Sequence, residues 1–268
     1  MNLLVSIVIP CYNQGKFLDT TVKSVLEQSY RHFEIVIVND GSTDKETLEV
    51  LNQNKWDKTT IHHIENSGVS NARNFGISHA KGEYILLLDG DDLIKPTYLE
   101  KAIEVFKKNP SVKVVTTEVG YFGKKKGTFN LPEYSLEGLM GQNLMVITSL
   151  FRKRDFLLTS GFNSNMKAGF EDWDFWLSFL KEGGSVFKIR EVLFLYRISK
   201  RSRNSSISLE TQSTLRRQIY ENHIDLFHSS FFNPLLSFEY TNVVNSKEYR
   251  LGLMLLRPLR KVLNALNF

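Results

Sequence analysis

The acids of this chain that can do chemistry come in two clusters. "EYILLLDGDDLIKP" (residues 83–96) runs from Tyr84–Leu88 straight into Asp89, Asp91 and Asp92. A short continuous apolar run suits a strand buried on both faces, which puts Asp89 at its C-terminal mouth. Carboxylates so crowded repel one another unless positive charge lies between them. A hard cation such as Mg²⁺ or Mn²⁺ takes oxygen ligands and shares its shell with water or phosphate. The plain alternative is a solvated Asp-Gly turn, with Asp92 close to a helix opened by Pro96. The second cluster is "GFEDWDFWLSFL", where Glu171, Asp172 and Asp174 stand at the start of a helical pattern. A carboxylate there can serve as a general base or simply favour the helix N-terminus.

The segments that must position these acids alternate. Val5–Pro10, Phe33–Asp40, Thr59–Asn66 and "EYILLLD" read as strands, and "VKVVTTEVGYF" as a fifth. Between them lie helical patterns: Phe17 to Leu26; a stretch after "GST" with Thr43 and Glu46 as a capping box; "GVSNARNFGISHAKG", ending by Gly82; and "PTYLEKAIEVFKKNP". Strands and helices at this spacing predict a mostly parallel, doubly wound α/β sheet. Ligands bind beyond the carboxyl ends of such strands, where Asn39, Asp40, Asn66 and Asp89 fall. From residue 121 the pattern changes: "GKKKG" reads as a hairpin tip, residues 171–184 as an amphipathic helix and Val186–Arg197 as strand. The last sixty residues read as helical, broken near "FFNPLLSFEY".

Taken in order, "VSIVIPCYN", "EIVIVNDGSTD", "NSGVSNARNFGISHAKGEYILLLDGDD" and "GFEDWDFWLSFL" resemble glycosyltransferase family 2, over about the first 200 residues. The resemblance implies a GT-A fold and an inverting transfer from a nucleotide sugar, a UDP-sugar, to a saccharide or lipid-linked saccharide in surface polysaccharide biosynthesis. It implies that Pro10, Tyr12 and Asn13 form a nucleotide wall, a loop-packing aromatic being the alternative for Tyr12. Asp40 would accept a hydrogen bond from the base, and Asn71 and Arg73 would lie by the nucleotide and diphosphate. "DGDD" matches the Asp-x-Asp motif, with Asp91 on Mn²⁺ or Mg²⁺ and Asp89 facing the ribose or the metal's water shell. Asp172 would be the base, with Glu171 as fallback. Trp173 and Trp176 either stack on an acceptor sugar or belong to the core. Many members carry a histidine two residues after an arginine in the loop following the last strand. Here Ser199 stands two residues after Arg197, and Lys200, Arg201 and Arg203 are left to close over the diphosphate.

Two other readings compete. A sugar nucleotidyltransferase would need a glycine-rich basic loop, and "CYNQGKF" has one glycine and one lysine. A non-catalytic binder of nucleic acid or an anionic surface fits the net charge of +5 but leaves the ordered acids unexplained; no nucleic acid is expected. The 268 residues, 42% hydrophobic and 24% charged, suffice for one large domain with an appendage. The expected division is a catalytic domain over 1–206, with a nucleotide-sugar half (1–120) and an acceptor-side half (121–206), then a helical extension over 207–268. The single cysteine, Cys11, excludes an internal disulfide and is expected to pack; His62 and His63 show no zinc spacing. No signal peptide or spanning stretch is visible, so a cytoplasmic protein is expected, at the inner face of the cell membrane. The reason for that placement is Tyr249–Phe268. Leu251, Leu255, Leu259, Val262 and Leu266 recur there at helical spacing among Arg250, Arg257, Arg260 and Lys261, around Pro258. This composition suits a helix lying in an anionic membrane surface, or else one packed on the catalytic domain.

Overall fold

The structure, a computed structural model, describes residues 3–53, 55–198 and 208–265. Lys200, Arg201 and Arg203, and Ser199 before them, lie outside the described residues, as do the side chains beyond Pro258.

The first strand, β1 (Val5–Cys11), leads into α1 (Gly15–Leu26), β2 (Phe33–Asp40), α2 (Lys45–Gln53), β3 (Thr59–Ile64), α3 (Val69–His79) and β4 (Tyr84–Leu87). These four strands lie parallel in the order β3-β2-β1-β4, as the apolar runs predict. The chain continues through the short β5 (Leu93–Ile94), α4 (Tyr98–Lys108), β6 (Val112–Gly123) and β7 (Gly127–Phe129) to α5 (Leu136–Gly141). Then follow β8 (Leu150–Arg152), α6 (Lys153–Phe156), α7 (Glu171–Leu180) and the long β9 (Ser185–Ile198). Here the sheet becomes mixed. β8 is antiparallel to both β4 and β6, β6 is parallel to β9, and β5 returns antiparallel on β9. "GKKKG" is the tip of the antiparallel β6–β7 hairpin.

Two apolar layers cover the sheet. Val5, Ile7 and Ile9 of β1 face Leu18, Val22 and Val25 of α1 and Tyr98, Leu99 and Ile103 of α4. Val8, on the other face of the same strand, packs with Ala72 and Ile77 of α3 and with the aromatic cluster of α7. Alternation along a strand feeds both layers. The second layer also takes Leu215 and Ile219 from α8 (Leu209–Asn222) and Leu226 from α9 (Ile224–Ser229). After a 3₁₀ turn at Pro234–Leu236 come α10 (Phe238–Asn245) and α11 (Lys247–Ala265), which runs as one helix through Pro258. No described side chain of α11 is buried.

Local details depart from the sequence reading in three places. Asp44, rather than Thr43, caps α2: its Oδ1 accepts from Thr47 N at 2.9 Å, while Thr43 turns toward Asn13. α4 starts at Tyr98, not at Pro96. α7 is buried nearly all round, with Trp173, Phe175, Trp176, Leu177, Phe179 and Leu180 all inside, so it is a core helix rather than an amphipathic one.

Gly76 sets how closely α3 lies on the sheet. A Cβ there would stand 2.3 Å from Val8 Cγ1 and 3.0 Å from Val38 Cγ2. Gly76→Ala should therefore cost about 1–3 kcal/mol through overpacking, read as a lower midpoint in urea denaturation; an unchanged midpoint would show that α3 shifts freely.

Candidate active site

The carboxyl ends of β1, β2 and β4 open on one side. There Tyr12 is 48% exposed. Asn13 adopts a left-handed φ of 54°, which asparagine tolerates better than most residues. Its side-chain oxygen accepts from the backbone N–H groups of Thr43 and Asp44 at 2.8 and 3.2 Å, so it ties the β1 mouth to the β2–α2 turn. Pro10 is buried inside β1. Asp40 is 4% exposed. Its Oδ1 accepts from Ser67 N at 2.8 Å and its Oδ2 from Gly68 N at 3.0 Å, at the start of α3. An acidic side chain at this place complements the positive end of the helix. Asn71 donates to Ser67 O at 2.8 Å and steadies the same turn.

Arg73 is the centre of the arrangement. It sits on the inner side of α3 with its side chain 3% exposed, donating to Asp89 Oδ1 at 2.9 Å and to Glu171 Oε1 at 3.1 Å. Its guanidinium lies 5.4 Å from the centre of the Phe162 ring, and its Nε has no partner. Burial works against the charge, but Asp89, Glu171 and Asp172 outweigh it and its pKa is raised. One cation thus joins the two acidic segments that lie more than eighty residues apart in sequence.

The "DGDD" turn divides its acids. Asp92 is 2% exposed; its Oδ1 accepts from Arg197 N at 2.7 Å. Burial, then the neighbouring Asp89 and Asp91, push its pKa well above the usual carboxylate range. Asp92 is therefore a structural member of the turn. Asp89 and Asp91 are half-buried, and Asp91 Oδ1 accepts from Gln14 Nε2 at 3.2 Å. Arg197 donates from Nε to Asp91 O at 2.7 Å, and its guanidinium lies 4.3 Å from both Phe17 and Phe122 ring centres.

Glu171 and Asp172 open α7 immediately after Phe170, whose φ of 59° is left-handed. A bulky residue in that region carries strain of about 1–3 kcal/mol, here in the turn that brings Glu171 onto Arg73. Asp172 Oδ1 accepts from Trp173 N at 2.8 Å, and Oδ2 from Asn143 Nδ2 at 2.9 Å. Burial first, then Glu171, push its pKa up to about 7, against the pull of Arg73. Asp174, expected only to favour the helix end, is buried and binds Asn222 at 2.7 Å and His223 at 3.1 Å. Trp173 and Trp176 are 3% and 0% exposed; both belong to the core, and neither is open to a sugar.

Among the described residues no group of three or more His, Cys, Asp or Glu side chains is arranged to hold a metal ion. The donor set at the turn is nonetheless two half-buried carboxylates, Asp89 and Asp91. Such hard oxygens suit Mg²⁺ or Mn²⁺ when phosphate and water supply the rest of the shell. Gln14 and Asn143 join the site without a motif to mark them, whereas Arg197 belongs to the stretch already singled out in the sequence. Gln14 adjoins the "CYN" run, but no spacing rule links Asn143 to an acid 29 residues later. Cys11 is buried, and burial raises its pKa to about 11, so it packs as expected.

Arg73→Gln removes a buried cation and leaves Asp89 and Glu171 facing each other unpaired. It should cost about 3 kcal/mol of stability, measured by denaturant unfolding at neutral pH. A loss below about 0.5 kcal/mol would show that the pairs contribute no more than exposed ones.

Comparison with known proteins fits this geometry. The profile for "Glycosyl transferase family 2" matches residues 6–174. An uncharacterised glycosyltransferase of Rickettsia typhi is 32% identical over 73% of this chain and 64% of its own. The chondroitin synthase of Pasteurella multocida is 31% identical over 92% of this chain and 25% of its own. The chain thus spans a quarter to just under two thirds of the length of these relatives. A crystal structure of S. aureus TarS residues 1–349 superposes with a TM-score of 0.69 at 22% identity, covering 91% of this chain and 75% of that one. A structure of the same TarS fragment in complex with UDP gives 0.68 at 20% identity. The fold is GT-A, and the chain belongs to glycosyltransferase family 2.

Proposed function

We propose that the chain is an inverting glycosyltransferase that moves a sugar from a UDP-sugar to a saccharide or lipid-linked saccharide in surface polysaccharide biosynthesis. The observation that carries this reading is the joining of the "DGDD" turn to the Glu171–Asp172 pair through buried Arg73. A donor-side acid and a candidate base are thereby held in one site. The chondroitin synthases and the TarS structures solved with UDP and UDP-GlcNAc support the substrate class.

In this mechanism Tyr12 and Asn13 flank the nucleotide, with Asp40 behind them. Asp172, with a pKa near 7, takes the proton from the acceptor hydroxyl. That oxygen attacks the anomeric carbon, the bond to the diphosphate breaks, and UDP leaves from the opposite face. Base help of this kind is typically worth about 10²–10⁴ in rate. Asp91 and Asp89 would hold Mn²⁺ or Mg²⁺, which supplies Lewis-acid neutralisation of the departing diphosphate. Around Arg73 three acids face one guanidinium, so the site carries an excess of negative charge that suits a cation.

UDP release from a panel of UDP-sugars tests this. Asp91→Ala should abolish metal-dependent release while the melting temperature stays. Asp172→Asn should lower it about 10²–10⁴-fold with UDP binding retained. The base belongs instead to Glu171 if Asp172→Asn turns over normally and Glu171→Gln does not.

The membrane reading of residues 249–268 belongs here as well. Among the described residues no helix is long and apolar enough to cross a bilayer. Tyr249, Leu251, Met254, Leu255 and Leu256 are each more than 40% exposed, beside Arg250 and Arg257. We infer that this helix lies on an anionic membrane, near a lipid-linked acceptor at the inner face of the cell membrane. The protein should sediment with phosphatidylglycerol vesicles at low salt, and removal of 249–268 should release it while UDP release persists. Full-length protein that stays in the supernatant would rule the docking out.

A further inference from the structure

Asp172 is steadied from outside its own helix by Asn143, in the connection between α5 and β8. Asn143 Nδ2 donates to Asp172 Oδ2 at 2.9 Å, while Asn143 Oδ1 accepts from Met145 N at 3.2 Å. The second bond fixes the amide's direction: with its oxygen committed to a backbone N–H, the NH₂ end faces the carboxylate. Asp172 Oδ1 meanwhile accepts from Trp173 N at 2.8 Å. Both oxygens are oriented, and each keeps a lone pair for an incoming hydroxyl.

The connection carrying Asn143 is itself braced by the C-terminal helices. Gln142 Nε2 donates to Leu236 O at 3.0 Å. Gly141 lies so close to the Pro234–Leu236 turn that a Cβ would meet Leu236 O at 2.6 Å. Arg216 of α8 donates to Gly141 O at 3.3 Å, pairs with Glu239 of α10 at 2.7 Å, and lies 4.9 Å from the Trp173 ring centre.

We propose that Asn143 is a positioning residue for the transfer: it aims the Asp172 carboxylate at the acceptor hydroxyl, and residues 216–239 hold it there. The proposal rests on Asp172 as the base. By donating to the carboxylate, Asn143 favours its ionised form. The charged groups that face Asp172 are Glu171 on its own helix, Arg73 of α3 and Asp89 of the acidic turn, and all three remain in the variants below.

The test uses the full chain with two variants. Asn143→Ala removes the donor; Asn143→Asp keeps the shape and turns the donor into an acceptor, so the test survives if the alanine variant folds poorly. The first readout needs no substrate: the ¹³C titration of Asp172, recognised by its loss in Asp172→Asn. The midpoint should rise by about one pH unit in Asn143→Ala; in Asn143→Asp the two carboxyls titrate as a pair whose upper midpoint lies higher still. The second is UDP release from the UDP-sugar turned over best. There kcat should fall about ten- to a hundredfold with donor KM changed by less than about twofold, and the rise of kcat with pH should move to higher pH. Wild-type midpoints and wild-type kcat in both variants, with Asp172→Asn inactive, would overturn the positioning role and leave the base intact. Normal turnover by Asp172→Asn would remove the base reading and this proposal with it.

Discussion

A single buried guanidinium holds the two halves of the site together. Arg73 is enclosed by the sheet, α3 and Phe162, and reaches Asp89 on one side and Glu171 on the other. A charge so buried is costly unless paired. The acidic turn and the start of α7 therefore have to come together around it. The strained Phe170, the tight seat of α3 at Gly76 and the second apolar layer all serve that meeting. The resemblance to the family places Arg73 by the donor diphosphate. With both terminal nitrogens engaged by carboxylates, its geometry suits a bridge between the acidic segments.

The acids around this bridge differ because their surroundings differ. Asp92 is sealed under Arg197 N–H, with its pKa pushed up by burial and by two like-charged neighbours. Asp89 and Asp91 stay half-buried on the same turn. The pKa of Asp172 is pushed up to about 7 by burial and Glu171, opposed by Arg73.

The C-terminal helices divide in the same way. α8 and α9 contribute Leu215, Ile219 and Leu226 to the core, and Asp174 binds Asn222 and His223 where they join it. α10 and the turn before it touch the connection that carries Asn143. α11 adds no buried described side chain. Its Leu251, Leu255 and Leu256 are exposed, with Arg250 and Arg257 beside them.

Much of the fold was legible in the sequence because it is written in short-range periodicity. Buried runs such as Val5–Pro10 and Tyr84–Leu88 suit central strands, and the helical patterns between them favour the parallel order β3-β2-β1-β4, though not the antiparallel β8 beside β4. The positions of Asp40, Asp89 and Glu171–Asp172 at element ends follow from the same pattern, and the order of the motifs carries the family. Tertiary structure alone decided what each acid touches. Arg73 meets Glu171 across 98 positions, Arg197 meets Asp92 across 105, and Asn143 meets Asp172 across 29. No period of 2 or 3.6 residues encodes such distances. They exist only once the chain has packed: packing seals Asp92 under the Arg197 N–H and sets Asp172 against Asn143.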